Sequence, residues 1–350
     1  MPIRVATVRA ADVPASQTNM PVFFDIGRIG ATALTLAEAN SLRVYTDTDL
    51  VTQMAREIVS ATEGHAKYPS LTSTSKIAMD FDGIRADYAV TDTFGRNNVW
   101  TGHTAVYHLN ESSGNASDST VNAYTLTNTN TVGYATSKIN NGADFTSTNP
   151  DKRLTYTTDT MGIGATGAIT FGGWVRATEE VTSADFGVRS LFFKLISGAS
   201  GSEISVIYEF NGGTRRLRFQ RAGSANSLQY HTVTLGIVDF NHIQITFDGS
   251  TVKGYLNGVE VTSVANSGTQ NIGSQGTFIG VFNTANIGYW RGLIDETRVS
   301  QSARSANWIT TEYNNQNAES TFWGTWSTFG GGGFTPTPLM HMRMMAGGMV

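Results

Sequence analysis

The sequence predicts an all-β protein made of two tandem β-sandwich domains. Charged residues make up only 15% of the 350 residues, while aromatic residues reach 10% and there are 37 glycines. This composition is typical of strands joined by turns. Short alternations of apolar and polar residues also recur along the chain, as strands with one buried face require. We place the domains at residues 1–100 and 101–328, followed by a Gly-rich spacer and Met-rich tail at 329–350.

The stretch His242 to Val264 shows the clearest pattern and predicts a three-stranded antiparallel meander. Apolar residues alternate with polar ones from Ile243 to Phe247. Asn257-Gly258 then supplies the dipeptide that most readily takes two positive φ angles in a hairpin turn. Three strands cannot form a domain alone, so the meander needs a second sheet to cover its apolar face.

Residues 1–100 predict a small sandwich of short strands separated by polar and Gly/Pro-containing segments. The β-prone runs are Ile3–Val8, Pro21–Ile26, Leu42–Thr46, Ala55–Ser60 and Lys76–Phe81. Ala33–Asn40 predicts one or two helical turns.

The larger domain supplies further strands and a closing helix at Ala303–Gln316, where Trp308, Ile309 and Tyr313 follow near-helical spacing. Besides the meander, the predicted strands are Thr104–Leu109, Ala168–Thr178, Leu191–Leu195, Ser205–Phe210, Arg215–Arg221, Gln229–Leu235, Thr277–Gly280 and Arg291–Val299.

The tail contains a cluster of methionines that includes Met340, Met342, Met344 and Met345. One interpretation is a frayed terminus. The other is an apolar peptide that docks on a partner or on its own oligomer, because unbranched Met side chains adapt to irregular grooves.

Several motifs resemble, in their order, the laminin-G-like, concanavalin-A-type lectin/glucanase superfamily. They are AITFGGWVRAT, HIQITFDGSTVKGYLNGVEV, TFIG and GLIDETRVSQSARS, preceded by DSTVN and INNGADF. The resemblance covers about residues 103–320 and implies a concanavalin-A-like jelly roll. Residues 20–100 are similar to a small β domain of unknown function that often precedes such modules in bacterial and phage proteins, which implies an arrangement but no reaction.

Some members of this superfamily are glucanases, yet the carboxylate pattern argues against an enzyme. Glucanases of this fold place their carboxylates on one strand as Glu-x-Asp-x-x-Glu, and this run is absent from the sequence. Glu179-Glu180 and Asp295-Glu296 are adjacent, so we expect each pair to point to opposite faces of an extended strand.

The histidines are scattered and do not predict a zinc site; His103 and His108 straddle the domain junction, where packing explains them. The resemblance implies calcium at a sandwich rim, with Asp118 and Asp295 as the candidate ligands. For Asp118 the alternative is a turn aspartate that binds its own backbone.

Two candidate glycan-binding sites each have a plainer interpretation. Tyr289-Trp290 is either a platform for sugar stacking or core packing. Arg216 and Arg218 share one face of a predicted strand, with Arg215 and Arg221 on the other. The face that carries Arg216 and Arg218 is either a solvated sheet surface or a site for an acidic glycan or a negatively charged partner.

Net charge of −4 argues against nucleic-acid binding, no stretch is apolar enough to span a membrane, and the N-terminus lacks the apolar core of a signal peptide. Together with the resemblance to domain pairs of bacterial and phage proteins, the N-terminus implies a non-enzymatic structural protein of a phage virion, either capsid decoration or a tail or fibre component. It would lie at the virion surface, contact other virion proteins or form a homo-oligomer, and touch host polysaccharide. The alternative is a carbohydrate-binding adhesion module at a bacterial cell surface or outside the cell.

Overall fold

The computed structural model describes residues 3–29, 33–146, 152–157, 161, 167–183, 188–195, 203–221, 227–266, 276–281 and 288–329. Within these residues the strands form four sheets, and the predicted all-β fold is confirmed. The Met-rich tail, with Met340, Met342, Met344 and Met345, lies outside the described residues. None of the described helices has the length and apolarity that crossing a bilayer requires.

The strands of the described residues are β1 (Ile3–Thr7), β2 (Gln17–Asp25), β3 (Arg43–Tyr45), β4 (Arg56–Ile58), β5 (Glu63–Leu71), β6 (Lys76–Asp80), β7 (Ala105–Tyr107), β8 (Thr127–Thr129), β9 (Gly133–Thr136), β10 (Asn141–Asp144), β11 (Arg153–Tyr156), β12 (Ile169–Ala177), β13 (Val188–Leu195), β14 (Glu203–Asn211), β15 (Thr214–Arg221), β16 (Ser227–Thr232), β17 (Asn241–Phe247), β18 (Thr251–Leu256), β19 (Val259–Ala265), β20 (Thr277–Ile279), β21 (Gly292–Ser300) and β22 (Ser327–Phe329). The helices of the described residues are α1 (Leu36–Ala39), α2 (Arg96–Val99), α3 (Ala306–Asn317) and α4 (Glu319–Phe322), and Ile26–Ile29 form a 3₁₀ turn.

Two sheets form the N-terminal unit, a four-stranded one in the order β22-β1-β6-β3 and a three-stranded one in the order β2-β5-β4. Met20, Val22 and Phe24 alternate along β2 and point into the core between them. The same core contains Trp308, Phe322 and Trp323 from the end of the chain. Residues beyond 305 therefore complete the N-terminal unit, and the predicted division at residues 100 and 328 stays a prediction.

The large sandwich packs an eight-stranded sheet on a seven-stranded one. The first has the order β19-β18-β17-β12-β21-β10-β9, with β7 beside β21, and the second β16-β15-β14-β13-β20-β11-β8. Their facing sides form one apolar core, to which alternate residues of β12, β14, β15 and β17 contribute. The predicted meander is β17-β18-β19, and its turn has Asn257 at φ 50° and Gly258 at φ 78°, as the dipeptide predicts.

A β-bulge in β21 decides which side chains face the N-terminal unit. Ile294 and Val299 are five residues apart yet both lie in the sandwich core, which a regular strand cannot achieve. Glu296 has φ 48° and is the inserted residue, opposite Gly173 of β12, whose Cβ would lie 2.7 Å from the Asp295 carbonyl oxygen. The expectation that Asp295 and Glu296 point to opposite faces is therefore wrong.

Helix α3 lies between the two units and contacts both. Ser305 caps it by accepting a hydrogen bond from the Trp308 N–H. On one side Asn315 bonds the backbone of Phe23 in β2; on the other the Trp174 indole N–H donates to Gln316. The predicted closing helix is confirmed, with a role in joining the units.

Candidate functional site

A buried group of titratable side chains lies where the N-terminal unit meets the eight-stranded sheet. We call it the interunit cluster, and it consists of Glu57 from β4, Glu63 and His65 from β5, His108 just after β7, and Glu296 from the bulge. All five side chains are buried. The cluster thus draws residues from both units.

Local strand geometry brings the N-terminal members together. Glu63 and His65 are two residues apart on β5, so they share a face, and Glu57 is the cross-strand partner of His65. Gly64, between them, lies so close to the Phe24 ring that a Cβ at this position would be 2.3 Å from a ring carbon. Only glycine lets β5 come this close to the core of its own unit.

The cluster converges on His108. Its Nδ1 lies 2.6 Å from Glu296 Oε1 and 3.3 Å from Glu63 Oε1, and its Nε2 lies 3.2 Å from Glu57 Oε2. His65 stacks on His108 with ring centroids 4.6 Å apart, and its Nε2 lies 3.1 Å from Glu63 Oε1 and 4.0 Å from Glu296 Oε1. Two imidazoles and three carboxylates therefore share one buried space.

Burial and the charges of neighbouring groups shift the pKa values of the cluster residues in different directions. Burial raises the pKa of Glu63 well above its usual value and lowers the pKa of His65 well below its own. Burial acts against a charged His108 too, but the Glu296 and Glu57 carboxylates raise the pKa of His108 well above the usual range. His108 in turn keeps the pKa of Glu296 low despite burial.

A chain of ion pairs extends the cluster towards α3. Arg298 donates to Glu296 Oε2 at 2.5 Å and to Glu312 Oε1 at 2.6 Å, and Gln244 donates to the other oxygen of Glu312. Because each of these side chains is buried, the ionic groups satisfy one another rather than water. The network joins β21, β17 and α3.

A cavity of about 270 Å³ opens beside the cluster. Glu57 and His108 line it, together with Arg96, Asn110 and Glu111. Two of the five cluster residues therefore border a cavity at the junction of the units.

The outer face of the seven-stranded sheet holds a second group of functional candidates, which we call the outer-face patch: Glu209, Arg216, Arg218, Leu228 and Tyr230. Glu209 accepts from Arg216 at 2.6 Å and lies 3.1 Å from Arg218. The Arg216 guanidinium lies 3.8 Å from the Tyr230 ring centroid, and Tyr230 is 40% exposed. Two arginines and one glutamate are thus held together beside an exposed tyrosine.

The structure gives the two arginine faces that the sequence predicts. Leu217 and Phe219 alternate with Arg216 and Arg218 and lie in the sandwich core. Arg221, on the core side, is buried against the Phe247 ring at 3.8 Å.

Tyr289 and Trp290 do not form an exposed platform. Trp290 is 2% exposed in the sandwich core, and its indole N–H donates to the Leu293 carbonyl. Tyr289 packs on Phe278 and Val281. Because a sugar needs an exposed ring face, Trp290 is a packing residue, the plainer of the two interpretations.

Asp118 and Asp295 are separate buried carboxylates. The Asp118 oxygens accept hydrogen bonds from the backbone N–H groups of Val106, Thr120 and Tyr124. This is the arrangement of a turn aspartate. Asp295 Oδ2 accepts from the Ile139 N–H, and burial followed by the Glu296 charge raises the pKa of Asp295. Calcium binding by either residue stays a prediction.

The adjacent acids Glu179 and Glu180 have different partners. Glu179 pairs with Arg189 and Arg291, whereas Glu180 accepts from the Tyr208 hydroxyl and pairs with Arg215. Each carboxylate is thus held in its own ion pair.

The large sandwich has two facing sheets. The meander lies at one edge of the larger sheet, and the Gly-Leu-Ile-Asp-Glu strand β21 lies inside it. Residues 149–310 match the concanavalin A-like lectin/glucanases superfamily. The match confirms the resemblance for this superfamily segment, while the small β domain ahead of it stays a prediction. No curated protein sequence matches the chain.

Solved structures with a similar fold share little sequence with this chain. Domain 4 of AbnA, a GH43 extracellular arabinanase from Geobacillus stearothermophilus, in complex with arabinotriose, is 22% identical, with a TM-score of 0.45 over 59% of this chain and 96% of that domain. The binding domain of Paraclostridial Mosquitocidal Protein 1 is 13% identical (TM-score 0.45; 61% and 52%), and Trypanosoma rangeli sialidase 14% (TM-score 0.47; 62% and 33%). The chain thus spans about half or less of the last two. Similarity at this level carries no functional argument.

Most of the interunit cluster is not evident from the sequence. The sequence draws attention to His108 at the junction and to Glu296 in an acidic pair, but not to Glu57, Glu63 or His65. The one available signal was the spacing of Glu63 and His65, which places them on one face if EGHAKYPSL is a strand.

Proposed function

We propose that this protein is a non-enzymatic attachment protein whose superfamily segment binds acidic surface glycans. The observation that carries the proposal is the outer-face patch, where an exposed tyrosine lies beside two arginines that share a single glutamate. Aromatic faces receive the apolar faces of sugar rings, and guanidinium groups bind carboxylates through paired hydrogen bonds.

The patch is preorganised for such a ligand. Glu209 fixes both guanidinium groups, and the stack of Arg216 on Tyr230 holds the ring at the sheet surface. Since little side-chain freedom is left to lose, binding costs less entropy than it would on a mobile loop.

A glycan array with neutral and acidic polysaccharides tests the proposal, run in calcium and again in chelator. Arg216→Gln should weaken binding of acidic glycans about tenfold, the loss expected for one charge-assisted hydrogen bond. Tyr230→Ala should weaken binding of acidic and neutral glycans alike. The matched control is Lys253→Gln. Lys253 is a surface cation that pairs with Glu260, and both residues lie in the eight-stranded sheet, away from the patch. If the array shows no binder in either buffer, the proposal is wrong.

The calcium arm of the array tests the ion that the resemblance implies. Binding that survives chelation would remove Asp118 and Asp295 as calcium ligands in glycan recognition. Binding that needs calcium would keep them as candidates.

A structural role in a phage virion is the second candidate function, as capsid decoration or a tail or fibre component at the virion surface. The proposal is supported by α3 and the interunit cluster, which both join the two units. An assembly protein has to hold its domains in fixed relation. Sedimentation velocity on the full chain and on a chain ending at Gly330 tests self-association through the Met-rich tail. Monomers in both cases would count against docking of Met340, Met342, Met344 and Met345 on a second copy.

A further inference from the structure

Four side chains of the interunit cluster present the donor set of a transition-metal site. The ligand atoms of Glu63, His65, His108 and Glu296 all lie within 4.8 Å of one another. The four pairs of a histidine nitrogen and a carboxylate oxygen are 2.6, 3.1, 3.3 and 4.0 Å apart. In a tetrahedral zinc site with bonds of roughly 2.0–2.2 Å, ligand atoms lie about 3.4 Å apart, so small side-chain shifts suffice to accept an ion.

The residues around His108, Glu63 and Glu296 orient these three side chains as an outer shell orients metal ligands. His108 presents Nδ1 to the centre, and its Nε2 lies beside the Glu57 carboxylate, which Trp100 and Ser119 hold. A carboxylate on the far nitrogen of a histidine fixes the tautomer in which the near nitrogen can bind a metal.

The second carboxylate oxygens are held as well. Glu63 Oε2 accepts from the Asn140 side chain, and Glu296 Oε2 accepts from Arg298. Each carboxylate therefore has one oxygen fixed by a donor and the other directed at the centre.

We propose that Glu63, His65, His108 and Glu296 bind one divalent transition-metal ion of the Zn²⁺ class. Two imidazole nitrogens with two carboxylate oxygens suit Zn²⁺, whereas calcium takes six to eight oxygens.

The ion acts as a clamp between the units. Two ligands come from β5 of the N-terminal unit and two from the large sandwich, so binding stabilises their association. The cavity that Glu57 and His108 line supplies the route of entry.

The test uses the full chain without an affinity tag, treated with chelator and dialysed. Titration with Co²⁺ should give the intense visible absorption of a tetrahedral N₂O₂ site at close to one equivalent. Zn²⁺ should displace the colour and raise the unfolding temperature. Wild-type protein that takes up neither ion, with an unchanged unfolding temperature, overturns the proposal and leaves the cluster as a network of ion pairs.

Variants locate the site. Glu63→Gln and His65→Gln should weaken Co²⁺ binding at least about a hundredfold, and Glu57→Gln about tenfold to a hundredfold, the effect typical of an outer-shell partner. His242→Gln is the control, because His242 is an equally buried histidine outside the four. If folded Glu63→Gln and His65→Gln bind Co²⁺ as tightly as wild type, the ion sits elsewhere and the proposal is wrong. Should they fail to fold, the wild-type titration decides.

Discussion

Replacing Asn315 by alanine should loosen the attachment of α3 to the N-terminal unit. β2 is the edge strand of its sheet, and Asn315 covers its free side at Phe23. The amide nitrogen donates to the Phe23 carbonyl at 2.9 Å, and the amide oxygen accepts from the Phe23 N–H at 2.6 Å. Asn315 is only 1% exposed, so water does not readily replace these bonds.

The cost follows from which backbone group loses its partner. The Phe23 carbonyl also accepts from the Trp323 indole N–H at 2.9 Å, so it keeps a bond in the variant. The N–H loses its bond to Asn315, at roughly 1–3 kcal/mol, and the lost carbonyl bond adds about 0.5–1 kcal/mol. Alanine is the better helix former by about 0.5 kcal/mol. The net loss should be about 2 kcal/mol.

Asn314→Ala is the matched control, because it brings the same gain in helix propensity. Asn314 makes one bond, to the Asp12 carbonyl at 3.0 Å, and is half-buried. Urea unfolding followed by tryptophan fluorescence gives both losses, provided that the m-values agree. Asn315→Ala should lose about 1.5 kcal/mol more than Asn314→Ala. A difference below roughly 0.5 kcal/mol would refute the assignment of Asn315 as the anchor.

Two further predictions use the same assay. Gly64→Ala should cost about 1–3 kcal/mol, because the new Cβ meets the buried Phe24 ring at 2.3 Å, whereas Gly133→Ala has its nearest contact at 3.6 Å and should be near neutral. Burial lowers the pKa of His242 to about 4, so the folded state stays unprotonated while the unfolded histidine takes up a proton near pH 6.5. The free energy of unfolding therefore keeps this stabilisation above pH 6.5 and loses it as the pH falls towards 4, by roughly 3 kcal/mol at most. The His242→Gln variant keeps Glu312, Lys138 and Arg298 around the site, so its stability should fall less than that of the wild type between pH 7.5 and pH 5. Equal losses of stability in the two proteins would contradict this role of His242.

Local rules were enough for the parts of the fold that depend on a few neighbouring residues. The Asn257-Gly258 turn, the alternation in β17 and the helix after Ser305 each follow from residues close in sequence. The sequence does not indicate strand β5, because EGHAKYPSL lacks β-branched residues and carries both Gly64 and Pro69, which normally mark a strand end.

The cluster could not be predicted because its geometry depends on partners far away in sequence. Glu296 leaves the regular strand only because Gly173, on another strand, leaves space for the bulge. His108 meets Glu57 across 51 residues and Glu296 across 188. A single sequence shows which residues can bind protons or metals, but not which of them meet.

The position of Trp308, Phe322, Trp323 and β22 in the N-terminal unit determines the order of events during synthesis. The first hundred residues are made before these four elements, so their core is incomplete until residue 329 has been made. At about 5–20 residues per second, roughly ten to forty-five seconds separate the synthesis of residue 100 from that of residue 329. The large sandwich, most of whose strands lie between residues 105 and 300, can fold first and present β21 and α3 as the surface on which the earlier residues close.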